Sequence, residues 1–256
     1  MADTVVEQSR RVLRTEVLIV LGLSIGASAI VATLRIIERL TRPERLADQT
    51  ARLNVSDVPD RPWLDLAFQL TGIALGLVPV LLAIYLLNRV PGDGYRLIGL
   101  DLRRPRFDLA SGAVLAAVVG LPGLGLYLVA YQAGLNARIA PANLPDVWWA
   151  VPVLVLAALQ NSLVEEVVGV GYLLTRLQAL GWRTPTMVAG HALLRGAYHL
   201  YQGFGGFIGN AAMGVLFALF FLRVRRVMPL VVAHTVLDVA AFVGYALLRD
   251  QVSWLP

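Results

Sequence analysis

The sequence predicts an all-α polytopic membrane protein, a bundle of seven transmembrane helices with room for an eighth element. Two observations carry this. Of its 256 residues 57% are hydrophobic and 15% are charged, with a mean hydropathy of +0.68, more apolar surface than a soluble core of this size can hide. The apolar residues also fall in runs near the roughly 17 to 25 residues that cross a bilayer. No window reads as a soluble second domain, so residues 1–256 are taken as one transmembrane domain.

Apolar runs place helices at about 17–37, 64–88, 108–134, 148–176, 186–202, 205–222 and 228–248. The first run follows Arg10, Arg11 and Arg14 and contains Ala27-Ser28-Ala29, a triplet of the kind signal peptidase cuts. Its apolar stretch continues to Ile37, however, which makes it an uncleaved first span. Arginine is concentrated before the first span and in alternate loops: Arg89 to Arg106, Arg176 with Arg183, and Arg223 to Arg226. By the positive-inside rule these belong on one, inner side, with the N-terminus inside a bacterial plasma membrane. The first outer loop is the exception, because Arg39, Arg42, Arg45, Arg52 and Arg61 alternate there with Glu38, Glu44, Asp48, Asp57 and Asp60.

The five tryptophans, Trp63, Trp148, Trp149, Trp182 and Trp254, all fall at or beyond helix ends and are read as interface anchors. Gly205, Gly209 and Gly214 let the sixth span approach its neighbours closely.

Composition excludes several chemistries. With no cysteine there is no disulfide, thiol nucleophile or thiolate metal site. The net charge of +5 is explained by basic loops facing an anionic leaflet, and no basic stripe interleaved with aromatics suggests nucleic acid. The partners expected are the lipid bilayer and a membrane-associated peptide or protein; the sequence leaves the oligomeric state open.

Polar residues inside the apolar runs carry the functional signal, since each costs about 2.5 to 3.5 kcal/mol to insert. Glu165 and Glu166 lie in the fourth run, His199 in the fifth, and His234 and Asp238 in the seventh. Glu165 precedes Arg176 by about 16 Å of helix, His199 lies about 20 Å past Thr186, and His234 and Asp238 lie about 12 and 18 Å into their span. Four side chains on three helices are therefore expected at similar depth. A carboxylate that takes a proton from water, an imidazole beside it and a second polar group facing the oxyanion are the parts peptide hydrolysis needs. Two histidines and a glutamate also make a zinc site conceivable, and spacing does not decide it. The sequence lacks His-Glu-x-x-His, a Gly-x-Ser-Gly signature and the paired aspartate motifs, which argues against three other intramembrane protease classes.

At these residues the chain resembles the CAAX protease and bacteriocin-processing (CPBP, or Abi) family of intramembrane proteases, over about residues 145–248. Its three motifs, Glu-Glu-x-x-x-Arg, Phe-x-x-x-His and His-x-x-x-Asn or Asp, read here as Glu165-Glu166-Val167-Val168-Gly169-Val170, Arg195-Gly196-Ala197-Tyr198-His199 and His234-Thr235-Val236-Leu237-Asp238. The resemblance implies an intramembrane endopeptidase in which Glu165 activates water with help from His199. It further implies that His234 and Asp238 form the oxyanion side, that Glu166 is a supporting acid and that no metal is essential. Two positions depart from the family: its arginine is Val170 and its phenylalanine is Arg195. Arg195 is therefore expected to reach Glu166 from the fifth span as a relocated cation. His191 shares a helical face with Arg195 and His199 and is expected to be a solvated residue near the inner end. The competing functions are a non-catalytic scaffold or immunity-type protein that binds a partner through the polar pocket, and a small transporter, for which no inverted repeat is visible.

Overall fold

A computed structural model describes residues 2–89 and 92–248. Its helices in chain order are α1 (Ala2–Gly22), α2 (Ile25–Leu40), α3 (Pro62–Gly76), α4 (Val78–Asn88), α5 (Gly94–Ile98) and α6 (Pro105–Gln132). They are followed by α7 (Ala150–Leu163), α8 (Leu173–Ala179), α9 (Thr184–Tyr198), α10 (Phe204–Val224) and α11 (Met228–Leu248). Between α7 and α8 the helix widens into a π-helical segment, Val164–Tyr172.

The chain is an all-α polytopic membrane protein, with five helices or helix runs long and apolar enough to cross a bilayer: 62–88, 105–132, 150–179, 204–224 and 228–248. A sixth is formed if α1 and α2 count together, since they bend by 51°. The expected count of seven is not reached by these helices: α9 has 15 residues, about 22 Å of helix. Glycine and proline set its start: Gly181 in the left-handed region (φ +82°) ends the preceding helix, and Pro185 sits in the first turn of α9. No eighth span is found among the described residues; the loop before α6 holds only the five-residue α5, capped by the Asp93 carboxylate on the amides of Tyr95 and Arg96.

Leucine, isoleucine and valine side chains such as Leu18, Ile30, Leu34, Val114, Val118 and Leu121 stay exposed, as a lipid-facing surface requires. The run 150–179 is the exception. More than half of its apolar window (56%) is enclosed by protein, against 17–28% for the other four, so it is the central helix. Around it α10 packs chiefly on α9, and α11 on α6 and α7.

Polar links divide the loops between two ends of the bundle. At one end Arg226 donates to both Asp108 oxygens at 2.9 and 2.7 Å and to Asp101 Oδ1 at 3.0 Å, and Arg176 donates to Glu16 at 2.9 Å. At the other, two short parallel strands, β1 (Thr50–Arg52) and β2 (Arg138–Ala140), join the first and third loops. There the Asn136 side chain also accepts from the amides of Gly205 and Gly206 at 2.9 and 3.2 Å, capping α10. The alternation of loops read from the arginines therefore matches the partition in space.

Two expectations about single residues change. Trp149 is not an interface anchor but a core residue, 3% exposed, because it is packed in a cluster with Leu154, Ala158 and Phe242. Trp63 and Trp148 are exposed and meet edge to face at 6.5 Å, while Trp254 lies outside the described residues. Gly214 does permit the close approach foreseen for it, since a Cβ there would lie 3.0 Å from Ala192 Cα and 3.3 Å from the Arg195 side chain.

Candidate active site

The π-helical segment carries both acids. Hydrogen bonds of the i→i+5 type widen the turn, so consecutive residues are separated by a smaller angle than in an α-helix, and Glu165 and Glu166 project toward the same interior. Such segments recur at functional sites. Gly169 lets neighbouring helices close on the widened backbone, since a Cβ there would stand 3.2 Å from Ile25.

Glu166 is fully buried, and Arg195 Nη1 donates to its Oε1 at 2.8 Å. His234 Nδ1 lies 2.8 Å from the same oxygen. A carboxylate only accepts, so this imidazole nitrogen carries the proton. His234 Nε2 then points toward Asp238 Oδ1 at 3.6 Å and Glu165 Oε2 at 4.0 Å. Arg195 also reaches Glu165 Oε2 at 3.2 Å and lies over the Phe217 ring at 5.3 Å. The cation sought by the acid pair thus arrives from α9, as the sequence suggested.

The two acids differ in access. The Glu165 side chain retains 15% exposure and Asp238 20%, whereas Glu166 has none. Glu165 and Asp238 face the accessible side of the cluster, and Glu166 anchors its floor. One Glu166 oxygen, Oε2, and Arg195 Nε are buried without a hydrogen-bond partner. Orphaned polar atoms cost about 1 to 3 kcal/mol each, so the cluster is not arranged for stability alone.

Sequence reasoning missed three contributors. Tyr198 donates its hydroxyl to Glu165 Oε2 at 2.8 Å; it lies one helical turn past Arg195, and that spacing was the available signal. Asn161, one turn before Glu165, donates to Asp238 Oδ2 at 3.4 Å. Thr235 donates to Ser162 at 2.9 Å, tying α11 to α7 beside the acids.

His199 lies beside the cluster without a direct bond to an acid among the described residues. It caps the end of α9, its Nδ1 lies 3.0 Å from the Arg195 carbonyl, and its ring packs 4.7 Å from Tyr198 and 6.5 Å from Tyr201. Among the described residues it makes no ion pair with an acid, because the short helix ends there and the Tyr198 hydroxyl takes the contact with Glu165. His191 is also corrected: it is 1% exposed rather than solvated, because the small Gly169 opposite leaves room for its ring.

Glu165, Glu166 and His234 could present ligand atoms within 4.8 Å of one another. Arg195 stands against all three, at 3.2, 2.8 and 3.3 Å, and His234 Nδ1 is already bonded to Glu166 Oε1. The donor set therefore carries its own cation.

Fold and site define an integral membrane protein with a polar, acid-rich cluster enclosed by apolar helices. Residues 147–240, which contain every acid, histidine and arginine of the cluster, match the family model described as type II CAAX prenyl endopeptidase Rce1-like. The resemblance read from the three motifs is borne out over that segment, and the family is one of CAAX-type proteases. No match was found among curated proteins or among solved structures.

Proposed function

We propose that the protein is an intramembrane endopeptidase that hydrolyses peptide bonds with water activated by Glu165. The observation that carries this reading is the division of labour in the acid pair. Glu166 is sealed and neutralised by Arg195, while Glu165 keeps 15% of its side chain exposed and is oriented by Tyr198. In the proposed reaction the Glu165 carboxylate accepts a proton from water as the oxygen attacks the scissile carbonyl. The developing oxyanion accepts from His234 as an imidazolium, whose Nδ1–H stays on Glu166 while Nε2–H donates to it, with Asp238 and Asn161 orienting that side. The proton held by Glu165 then passes to the leaving amine. His199, at the end of α9, assists from beyond Tyr198 and makes no direct bond to Glu165.

Metal is not essential in this proposal, because Arg195 supplies the positive charge that a cation would bring to Glu165 and Glu166. The same contact answers the main reason for a non-catalytic scaffold, the lost arginine at Val170. The substrate is a membrane-associated peptide or protein, the compartment a bacterial plasma membrane and the N-terminus inside, as the arginine distribution supports.

The test compares membrane peptides from cells carrying the wild type with those carrying Glu165→Gln. A product that appears only with the wild type, and survives chelator treatment, supports the proposal. Identical peptide profiles would sink it.

A further inference from the structure

At the end of the bundle that holds β1 and β2, a cavity of about 600 Å³ opens between α2, β1 and the end of α9. Three guanidinium groups line it, those of Arg35, Arg39 and Arg52, together with Ser28, Tyr198 and Tyr201, and no carboxylate does. The side chains of Arg35 and Arg52 make no hydrogen bond or ion pair among the described residues, and the only hydrogen bond Arg39 makes there as donor from its guanidinium is to the Thr50 carbonyl. Arg42 pairs with Glu38 and Arg45 with Asp48, but none of the three lining arginines forms an ion pair among the described residues. Arg39 Nε is buried with no hydrogen-bond partner. Like charges gathered around one space repel unless an anion enters it. The positive-inside rule also leaves these residues unexplained, since they stand at the end opposite the arginine-rich loops.

Tyr198 connects this cavity to the acid cluster. It lines the cavity and donates to Glu165 through its hydroxyl, so the two spaces are separated by one ring. Strand β1 adds a second feature. The Gln49 carbonyl just before it accepts from the Arg138 amide and the Leu53 amide just after it donates to the Ala140 carbonyl, so the alternate residues Thr50 and Arg52 turn their peptide groups to the other edge. The Thr50 carbonyl accepts from Arg39 Nη2 at 3.2 Å, which places that edge on the cavity side. An open strand edge beside a cationic cavity suits an extended peptide better than a lipid tail.

We propose that this cavity binds an acidic segment of the peptide substrate, its carboxylates held by Arg35, Arg39 and Arg52, and so selects substrates that carry negative charge next to the cleaved bond. This deepens the endopeptidase reading and rests on it. Guanidinium groups pair with carboxylates through two parallel N–H bonds, a geometry an amide isostere cannot match.

Binding is best measured on full-length Glu165→Gln in phosphatidylcholine nanodiscs. The probes are an apolar peptide with two adjacent aspartates, labelled with an uncharged dye, and its asparagine isostere. The aspartate peptide should bind about tenfold tighter. Arg35→Gln with Arg52→Gln, both exposed and unpaired, should bring that ratio near one and leave the asparagine peptide unchanged. Equal binding of both peptides, or a ratio that survives the double variant, would overturn the proposal. A third arm adds phosphatidylglycerol and reads co-purifying lipid by native mass spectrometry. Loss of bound anionic lipid in the double variant with no change in the peptide ratio would make this a lipid site and overturn it equally. Acid preference in a protein whose wild type cleaves nothing would sink the endopeptidase reading alone; cleavage without acid preference would sink this inference alone.

Discussion

Arg195 Nη1 lies 2.8 Å from Glu166 Oε1, and both side chains are fully buried. The pair joins α9 to the π-helical segment across the centre of the bundle, and it replaces a cation that the motif would place at Val170, four residues past Glu166 on the same helix. Val170 is itself wholly buried in the main apolar cluster. Where the motif would give a same-helix pair this chain has a tertiary one, and that pair holds α9 to the central helix.

Removing one member of a buried ion pair costs about 3 to 5 kcal/mol, because the other charge stays behind in low dielectric. Arg195→Phe should therefore lower the unfolding temperature in detergent markedly. Val170→Arg should also destabilise, by burying a second cation beside the first. The double variant should recover part of the loss by rebuilding the same-helix pair. Strict additivity of the two single effects would remove the ion pair as the reason Arg195 is there.

Glu165→Gln keeps an oxygen to accept from Tyr198 and removes the base. It should abolish cleavage and leave expression and thermal stability near wild type. Tyr198→Phe deletes the hydroxyl bond to Glu165 at 2.8 Å and keeps the ring. We expect kcat to fall roughly tenfold with KM little changed, since the lost bond orients the base and does not hold substrate. A change confined to KM would place Tyr198 with substrate binding alone.

The Asp101 carboxyl, in the loop before α6, is held below its ordinary value of 3.8 chiefly by its hydrogen bond with Arg226. A depressed carboxyl pKa contributes stability that is present above the ordinary value and is lost as pH falls through the folded one. Asp101→Asn should therefore be less stable than wild type near neutral pH, and the gap should close as pH drops below 3.8. Unfolding temperatures across that range check it; a gap that stays constant would show that the charge of Asp101 contributes nothing.

The absence of cysteine makes orientation directly testable. Arg104, Arg225 and Asn143 are all exposed, the first two at the arginine-rich end and the third at the end with β1 and β2. Single cysteines replacing Arg104 or Arg225 should be shielded from an impermeant thiol reagent added to intact cells, and one replacing Asn143 should be labelled. The opposite pattern would invert the proposed orientation.

Much of the site was legible because membrane insertion penalises charge. An acid or histidine inside an apolar run stands out against its neighbours, and helical rise converts its position into depth. That is how Glu165, Glu166, His234, Asp238 and the reach of Arg195 to Glu166 could be read from the chain. Tyr198 was not legible, because a tyrosine in a span costs little and carries no charge, and its contact with Glu165 depends on where α9 stops.

The sequence by itself determined the apolar helical class, the alternation of loops between two ends and the residues with chemistry in them, since hydropathy and charge are local properties of the chain. Only the tertiary structure decided that α1 and α2 bend, that α9 is too short to span and that the acids sit on a π-helical turn. It also decided that Tyr198, and not His199, bonds directly to Glu165, and that Arg35, Arg39 and Arg52 meet around one cavity. Each of those depends on helix ends, widened turns and the packing of distant segments, and a contact between residues far apart in the chain leaves no periodic trace along it.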